Sequence, residues 1–154
     1  MAAAGSLWVL GGFTGSEASD VHRFDLRANA WEEVPARGDA VRFSARSVFA
    51  RASHSSCAAA ACGHRDHILV FGGEVDPCDQ GHAGAGQFAD DLCCLDTSAL
   101  SWHRVAAAGA VGGEGPAPRG WAASSEVPAG LVVSGGIDES NTRLGDLWLL
   151  DLHV

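Results

Sequence analysis

The sequence contains no lysine, so all ten of its basic residues are arginine. A P-loop nucleotide site needs a lysine after its glycines, and that class of site is therefore excluded. No apolar run approaches the ~18–20 residues that cross a bilayer. The opening Met-Ala-Ala-Ala-Gly-Ser lacks the basic and apolar regions of a secretory signal. We therefore expect a cytoplasmic protein, with the nucleus as an alternative, and no membrane partner.

Positive charge is scarce as well. Against the ten arginines stand 19 acidic residues, which gives a formal net charge of −9. Such a chain repels phosphate backbones and anionic surfaces, so we expect no nucleic-acid partner. The five cysteines form an odd set without a regular framework, which favours a reduced, intracellular protein. The length of 154 residues suits one domain.

Three glycine pairs divide the chain into similar units: Gly11-Gly12, Gly72-Gly73 and Gly135-Gly136. Each pair follows a short apolar run that is typical of a β-strand, namely Leu-Trp-Val-Leu, Ile-Leu-Val-Phe and Leu-Val-Val-Ser. Paired glycines after a strand allow a sharp turn and a close approach of the backbone. The pattern indicates a repeated β unit.

A second shared segment follows each glycine pair. It begins at Asp20, Asp91 and Asp146 and reads Asp-Val-His-Arg-Phe-Asp, Asp-Leu-Cys-Cys-Leu-Asp and Asp-Leu-Trp-Leu-Leu-Asp. The two aspartates of each segment bracket a short strand, and their carboxylates hydrogen-bond turn amides. Trp31 and Trp102 follow the first two segments, and we expect both rings in the core between neighbouring sheets.

Units of four strands with glycine pairs and tryptophans resemble the kelch repeat of β-propellers. The sequence therefore predicts an all-β fold of about three kelch-type blades in one partial propeller over residues 1–154. Residues 7–38 form an incomplete blade without its first strand, residues 44–106 a complete blade, and residues 115–152 an incomplete blade without its last strand. Since propellers close with ~4–8 blades, we expect a fragment of a larger propeller, a truncated gene product, or a chain that pairs with another.

The second unit carries an insertion at residues 74–90, between its second and third strands. In an antiparallel blade, this connection and the link into each first strand lie at the same rim. We therefore expect the insertion to converge with Arg46, Arg119 and Trp121 on one rim of the propeller.

Four metal-ligating side chains lie close together in the insertion: Glu74, Asp76, Asp79 and His82. Carboxylate oxygens with an imidazole nitrogen suit Fe(II) or Mn(II) better than a structural zinc ion. The spacing alone leaves a second interpretation open, in which the aspartates and glycines simply form turns.

Longer motifs carry a more specific resemblance. Phe-Gly-Gly-Glu-Val-Asp-Pro, Gly-His-Ala-Gly-Ala-Gly-Gln-Phe, Pro-Arg-Gly-Trp and Asn-Thr-Arg-Leu-Gly-Asp occur in this order. They are similar to motifs of the plant nitrile-specifier, thiocyanate-forming and epithiospecifier kelch proteins. The resemblance implies an Fe(II)-dependent activity on glucosinolate aglycones released by myrosinase. That activity diverts the thiohydroximate sulfate from isothiocyanate toward nitriles, epithionitriles or thiocyanates.

The same resemblance implies a set of metal ligands. The family's motif has Glu, Asp and His with three residues between successive ligands, and Glu74 and His82 fall in register with it. Cys78 stands at the position of the Asp, and Asp79 follows it. This departure leaves three interpretations open: the Cys78 thiolate is the middle ligand, the Asp79 carboxylate is the middle ligand, or iron does not bind here.

The resemblance also implies a catalytic set. Trp121 matches the family's active-site tryptophan, and Arg46 or Arg119 would hold the substrate sulfate by bidentate, charge-assisted hydrogen bonds. An active chain would be a lyase- or isomerase-like specifier protein acting on a small sulfated aglycone. The alternative is a non-catalytic kelch scaffold whose rim binds a protein partner, including a truncated, inactive homologue. The sequence does not decide between an enzyme and a non-catalytic scaffold.

Overall fold

The computed structural model describes residues 2–3, 5–13, 17–38, 48–52, 67–77, 85–105, 115–127 and 130–151. All regular structure in these ranges is β-strand, arranged in sheets of four, five and three strands and a two-stranded ribbon. The prediction of an all-β fold is confirmed. The same ranges contain no helix long and apolar enough to span a membrane.

The described strands follow one another along the chain as short segments. They are β1 (Ala2–Ala3), β2 (Ser6–Phe13), β3 (Glu17–Asp25), β4 (Ala30–Glu33), β5 (Arg37–Gly38), β6 (Val48–Ala52), β7 (His67–Phe71), β8 (Glu74–Pro77), β9 (Ala85–Phe88), β10 (Leu92–Asp96), β11 (Ser101–Arg104), β12 (Ala123–Val127), β13 (Gly130–Ser134) and β14 (Leu147–Asp151). The first sheet has the order β1-β2-β3-β4, the second β5-β11-β10-β7-β6 and the third β12-β13-β14, while β8 and β9 form the ribbon.

Two short strands extend the sheets beyond the predicted pattern. Strand β1 pairs antiparallel with β2, on the side where the sequence predicts no first strand. Strand β5 leaves the first sheet and pairs in parallel with β11 of the second. The ribbon of β8 and β9 is the inserted segment, folded back on itself with two register irregularities. The chain thus links its sheets by strand pairing as well as by side-chain packing.

Aspartate carboxylates close the hairpin turns between the third and fourth strands of the first two sheets. Oδ1 of Asp25 accepts hydrogen bonds of 2.7 and 2.9 Å from the amides of Arg27 and Ala28. Oδ1 of Asp96 accepts bonds of 2.7 and 2.8 Å from the amides two and three residues further on. The repeated Asp therefore performs the turn role that the sequence predicts.

Two hydrophobic cores fill the spaces between successive sheets. Strand β7 contributes to both, because its side chains alternate between the two faces of the second sheet. The first core contains Trp8, Leu10, Val21, Val34, Ile68, Val70, Cys93, Leu95 and Trp102, and the second contains Leu69, Phe71, Cys94, Leu131 and Val133.

The two repeat tryptophans differ in burial. Trp102 is 4% exposed and belongs to the first core, as predicted. Trp31 is 57% exposed, and its ring packs on that of Phe24 with the ring centroids 5.0 Å apart. Phe24 lies three residues after the core residue Val21, which places Phe24 and its cross-strand partner Trp31 on the opposite face. The expectation that Trp31 is buried is therefore wrong.

Gly38 allows β5 to approach the second sheet. Its φ is +106°, and a Cβ placed there would lie 2.3 Å from the carbonyl oxygen of Trp102. We predict that Gly38→Ala lowers the free energy of unfolding by about 1–3 kcal/mol, because β5 must move away from β11 or keep a strained backbone. Urea denaturation measures the change.

Gly145→Ala is the matched control for this substitution. A Cβ at Gly145 meets no atom within 4 Å. The control is expected to change stability by less than about 0.5 kcal/mol. Equal losses for the two variants would contradict the assigned role of Gly38.

Candidate functional site

The backbone of Arg119 joins the second sheet to the third. The Gly73 amide donates a hydrogen bond of 2.8 Å to the Arg119 carbonyl, and the Arg119 amide donates one of 3.4 Å to the Ala89 carbonyl. A Cβ on Gly72, whose φ is +64°, would lie 2.6 Å from the same Arg119 oxygen. The second glycine pair thus provides the close approach that its sequence predicts, here against the segment that leads into the third sheet.

The side chain of Arg119 holds that segment to the third sheet. It is 1% exposed, and its Nη1 and Nη2 donate bonds of 2.6 and 2.8 Å to the two carboxylate oxygens of Asp146. Nη1 also donates to the Gly135 carbonyl at 3.0 Å, and Nε donates to the Ala117 carbonyl at 2.9 Å. A bidentate, charge-assisted pair with these further bonds fixes the guanidinium in one geometry.

Asp146 is held in its charged form by this arrangement. The hydrogen bonds from Arg119, more than any other cause, lower the pKa of Asp146 to about 2. The indole N–H of Trp148 adds a bond of 2.6 Å to Oδ2 in the same direction, while partial burial of the carboxyl opposes both. The ion pair therefore persists throughout the neutral range.

Glu74 lies buried at the beginning of the ribbon. It follows the second glycine pair directly, is 2% exposed, and pairs across the ribbon with Phe88. The Phe88 side chain is buried too. The ribbon therefore brings a carboxylate and an aromatic ring to the rim at which the Arg119 backbone meets the second sheet.

Trp121 presents an exposed aromatic surface at this rim. The residue is 46% exposed, and its backbone has a φ of 53°, which is uncommon for a bulky residue. Its ring stands edge-on to that of Phe88, with centroids 5.7 Å apart and an interplanar angle of 84°. A Cβ on Gly120 would lie 2.5 Å from a carbon of the Phe88 ring. The Phe88 ring is thus packed tightly beneath the backbone that carries Trp121.

The structure brings three of the predicted site residues together at one rim: Glu74, Arg119 and Trp121. The other four, Arg46, Cys78, Asp79 and His82, lie outside the described residues. Their roles as metal ligands and as a sulfate contact stay predictions. Within the described ranges, no group of three or more His, Cys, Asp or Glu side chains is placed to hold a metal ion.

No sequence pattern places two residues, Phe88 and Asp146, in the rim. Phe88 is the large apolar residue of an insertion otherwise rich in small and polar side chains, and that contrast is a signal of packing. Asp146 occupies the same place in its unit as Asp20 and Asp91, which marks it as a repeat residue. Its ion pair is with Arg119, 27 residues earlier in the chain, and no local sequence pattern predicts that pairing.

A family model described as the KLHDC2/KLHL20/DRC7 Kelch-repeats domain matches residues 1–154. The chain therefore belongs to this Kelch-repeat family, and the resemblance drawn from the glycine pairs is confirmed. A solved structure, "Structure of YjhT", superposes with a TM-score of 0.70 at 18% sequence identity. The superposition covers 100% of this chain and 47% of that one, and it supports the propeller fold.

A curated relative from Thlaspi arvense is called N-(sulfonatooxy)prop-2-enimidothioate sulfolyase. It is 30% identical to this chain over 167 residues, which cover 97% of this chain and 44% of the relative. The match supports the resemblance to kelch specifier-like proteins that the longer motifs indicate. The chain spans less than half the length of this relative.

We predict that Asp146→Asn destabilises the protein by roughly 3 kcal/mol or less at neutral pH, because it leaves the buried Arg119 guanidinium without its counter-charge. The folded pKa of Asp146 lies below the ordinary 3.8, so the charged carboxylate stabilises the fold above that value. This contribution is lost as the pH falls through about 2. The difference in the free energy of unfolding between variant and wild type, measured by urea denaturation, should therefore become smaller below about pH 4.

Glu32→Gln serves as the control for this variant. Glu32 forms an exposed ion pair of 2.9 Å with Arg23. Its loss is expected to cost less than about 1 kcal/mol. A difference in the free energy of unfolding between Asp146→Asn and wild type that is the same at neutral and acidic pH would contradict the proposed role of the Asp146 charge.

Proposed function

We propose that this chain is a specifier-type sulfolyase that acts on a sulfated thiohydroximate, the aglycone released from a glucosinolate. Two lines of support converge on this proposal. The Thlaspi arvense relative bears a sulfolyase name at 30% identity. At the rim, the buried Glu74 pairs with Phe88, whose ring packs on the exposed Trp121. That juxtaposition of a carboxylate and an open aromatic wall is the observation that carries the proposal.

Trp121 forms the binding wall in this proposal. The residue is 46% exposed, and its ring makes an edge-on contact with that of Phe88. An indole offers a large apolar surface with a polar edge, which suits the organic portion of a small sulfated ligand. The aglycone side chain would stack on this surface with its charged end directed along the rim.

Arg119 acts as a positioning residue in the same proposal. Its guanidinium makes four hydrogen bonds to Asp146 and to two backbone carbonyls, and its backbone is fastened to the second sheet. Trp121 lies two residues further on, so these bonds hold the start of the segment that carries the indole. We assign the sulfate contact to Arg46 by the family resemblance.

Glu74 is the member of the implied iron-ligand set that lies within the described residues. Glu74, which is 2% exposed at the start of the ribbon, would supply a carboxylate oxygen. Glu74 and His82, with Cys78 or Asp79, would hold the ion. An Fe(II) ion held by these residues would supply Lewis-acid assistance to the departure of sulfate. Glu74 would connect the ligand set to the glycine pair at the start of the ribbon.

The activity is tested with the purified chain and a substrate generated in place. Myrosinase and a glucosinolate are mixed with the chain in the presence and absence of Fe(II), and the products are identified by gas chromatography. We expect nitrile, epithionitrile or thiocyanate to rise at the expense of isothiocyanate when both chain and Fe(II) are present. A product mixture equal to that of myrosinase alone would contradict the proposed function.

Two substitutions separate the proposed roles. Glu74→Gln should lower bound iron, measured by metal analysis, by roughly tenfold or more and remove the diverted product with it. Trp121→Ala should leave bound iron unchanged and reduce diverted product by up to about tenfold, the loss of one well-placed aromatic contact. Glu33→Gln, an exposed carboxylate on β4, is the control and should alter neither readout. Unchanged iron in Glu74→Gln would refute the ligand assignment.

A further inference from the structure

Two sheet faces carry apolar side chains that no described part of the chain covers. On the first sheet, Leu7, Val9 and Trp31 are 39%, 46% and 57% exposed. On the third sheet, Leu147 and Leu149 are 71% and 54% exposed. In the second sheet, we call the face that contacts the first sheet the N-side face and the face that contacts the third sheet the C-side face. The equivalent faces of the first and third sheets take the same names. The first set lies on the N-side face of the first sheet and the second on the C-side face of the third.

The second sheet shows what the exposed N-side face of the first is built to meet. Counted from the glycine pairs, Leu7 and Val9 occupy the positions of Ile68 and Val70. Trp31 occupies the position of Trp102. These three residues of the second sheet are at most 4% exposed, because the first sheet covers them. The same side-chain pattern is thus buried in one sheet and open in the other.

The third sheet repeats this relation on its other face. Leu147 and Leu149 occupy the positions of Leu92 and Cys94, counted from the Asp that begins each segment. Cys94 is 2% exposed in the second core, and Leu92 packs against that core. Both contacts between sheets in this chain therefore join a C-side face to an N-side face. The two exposed faces are an N-side face, on the first sheet, and a C-side face, on the third.

We propose that a second copy of this chain covers both faces. The C-side face of the third sheet in each copy packs on the N-side face of the first sheet in the other, so that two copies close a single ring. This head-to-tail contact already occurs twice within the chain. The chain covers 47% of the propeller it superposes on, so two copies approach the length of that ring. A head-to-tail interface closes when its rotation completes the circle, which here limits the assembly to two copies.

The mass of the 154-residue chain in solution tests this directly. Sedimentation or light scattering at micromolar concentration should give about twice the chain mass of 15.8 kDa. A monomer, or a ladder of larger open assemblies, would overturn the proposal.

Two charged substitutions test which faces meet. Leu149→Glu and Val9→Arg each place a charge in one of the two faces, and each alone should weaken the dimer at least roughly thirtyfold. Far-UV circular dichroism shows whether each variant keeps its sheets. Leu26→Arg is the matched control, because Leu26 is also 54% exposed but lies in the turn between β3 and β4. The control should remain a dimer.

Mixing the two variants distinguishes a head-to-tail ring from a symmetric contact between like faces. In a mixed ring, one contact carries both substitutions with opposite charges, and the other contact is unaltered. We therefore expect a heterodimer to form from the two monomeric variants. If Leu149→Glu alone stays dimeric, or if the mixture stays monomeric while both variants remain folded, the proposed arrangement is wrong. Neither result bears on the iron and product measurements at the rim.

Discussion

A β-sheet that carries apolar side chains on both faces is stable only when another layer covers each of them. The second sheet of this protein meets that requirement through the alternation of β7, which sends Ile68 and Val70 to one neighbour and Leu69 and Phe71 to the other. A shift of one residue in the register of β7 would exchange the two sets. Both contacts between sheets therefore include side chains of this strand, and the rim lies beside the second of these contacts.

The rim is assembled between two sheets and belongs to neither alone. The main chain of Arg119 bonds to the glycine pair of the second sheet, while its side chain bonds to Asp146 of the third. Phe88, carried by the ribbon, then supports Trp121 from below. A repeat scaffold of this kind keeps its stacking contacts constant and places new chemistry in the connections at its edges. The inserted ribbon is such a connection.

The sequence predicted what depends on local pattern and missed what depends on neighbours. Glycine pairs, period-two apolar runs and turn aspartates identified the main strands and their repetition. The parallel pairing of β5 with β11 is non-local, and no sequence motif predicts it. Trp31 and Trp102 have the same signature, yet their burial differs because burial is a property of the adjoining sheet. The sequence predicts that Arg119 could bind a sulfate. An arginine that forms a buried ion pair with Asp146 has the same sequence pattern, so the sequence could not distinguish the two roles.

That contrast between the tryptophans also shows where the stability of the fold resides. In stacked repeats, the free energy is shared between each unit and its contacts with its neighbours, and outermost units usually carry a polar outer face. The outer faces here carry Leu, Val and Trp in the same pattern as the inner ones. They therefore lack the polar surface that is typical of a capping repeat. The rim of Glu74 and Trp121, by contrast, lies where the second and third sheets already cover each other, so its geometry is set by the internal contact whatever covers the ends.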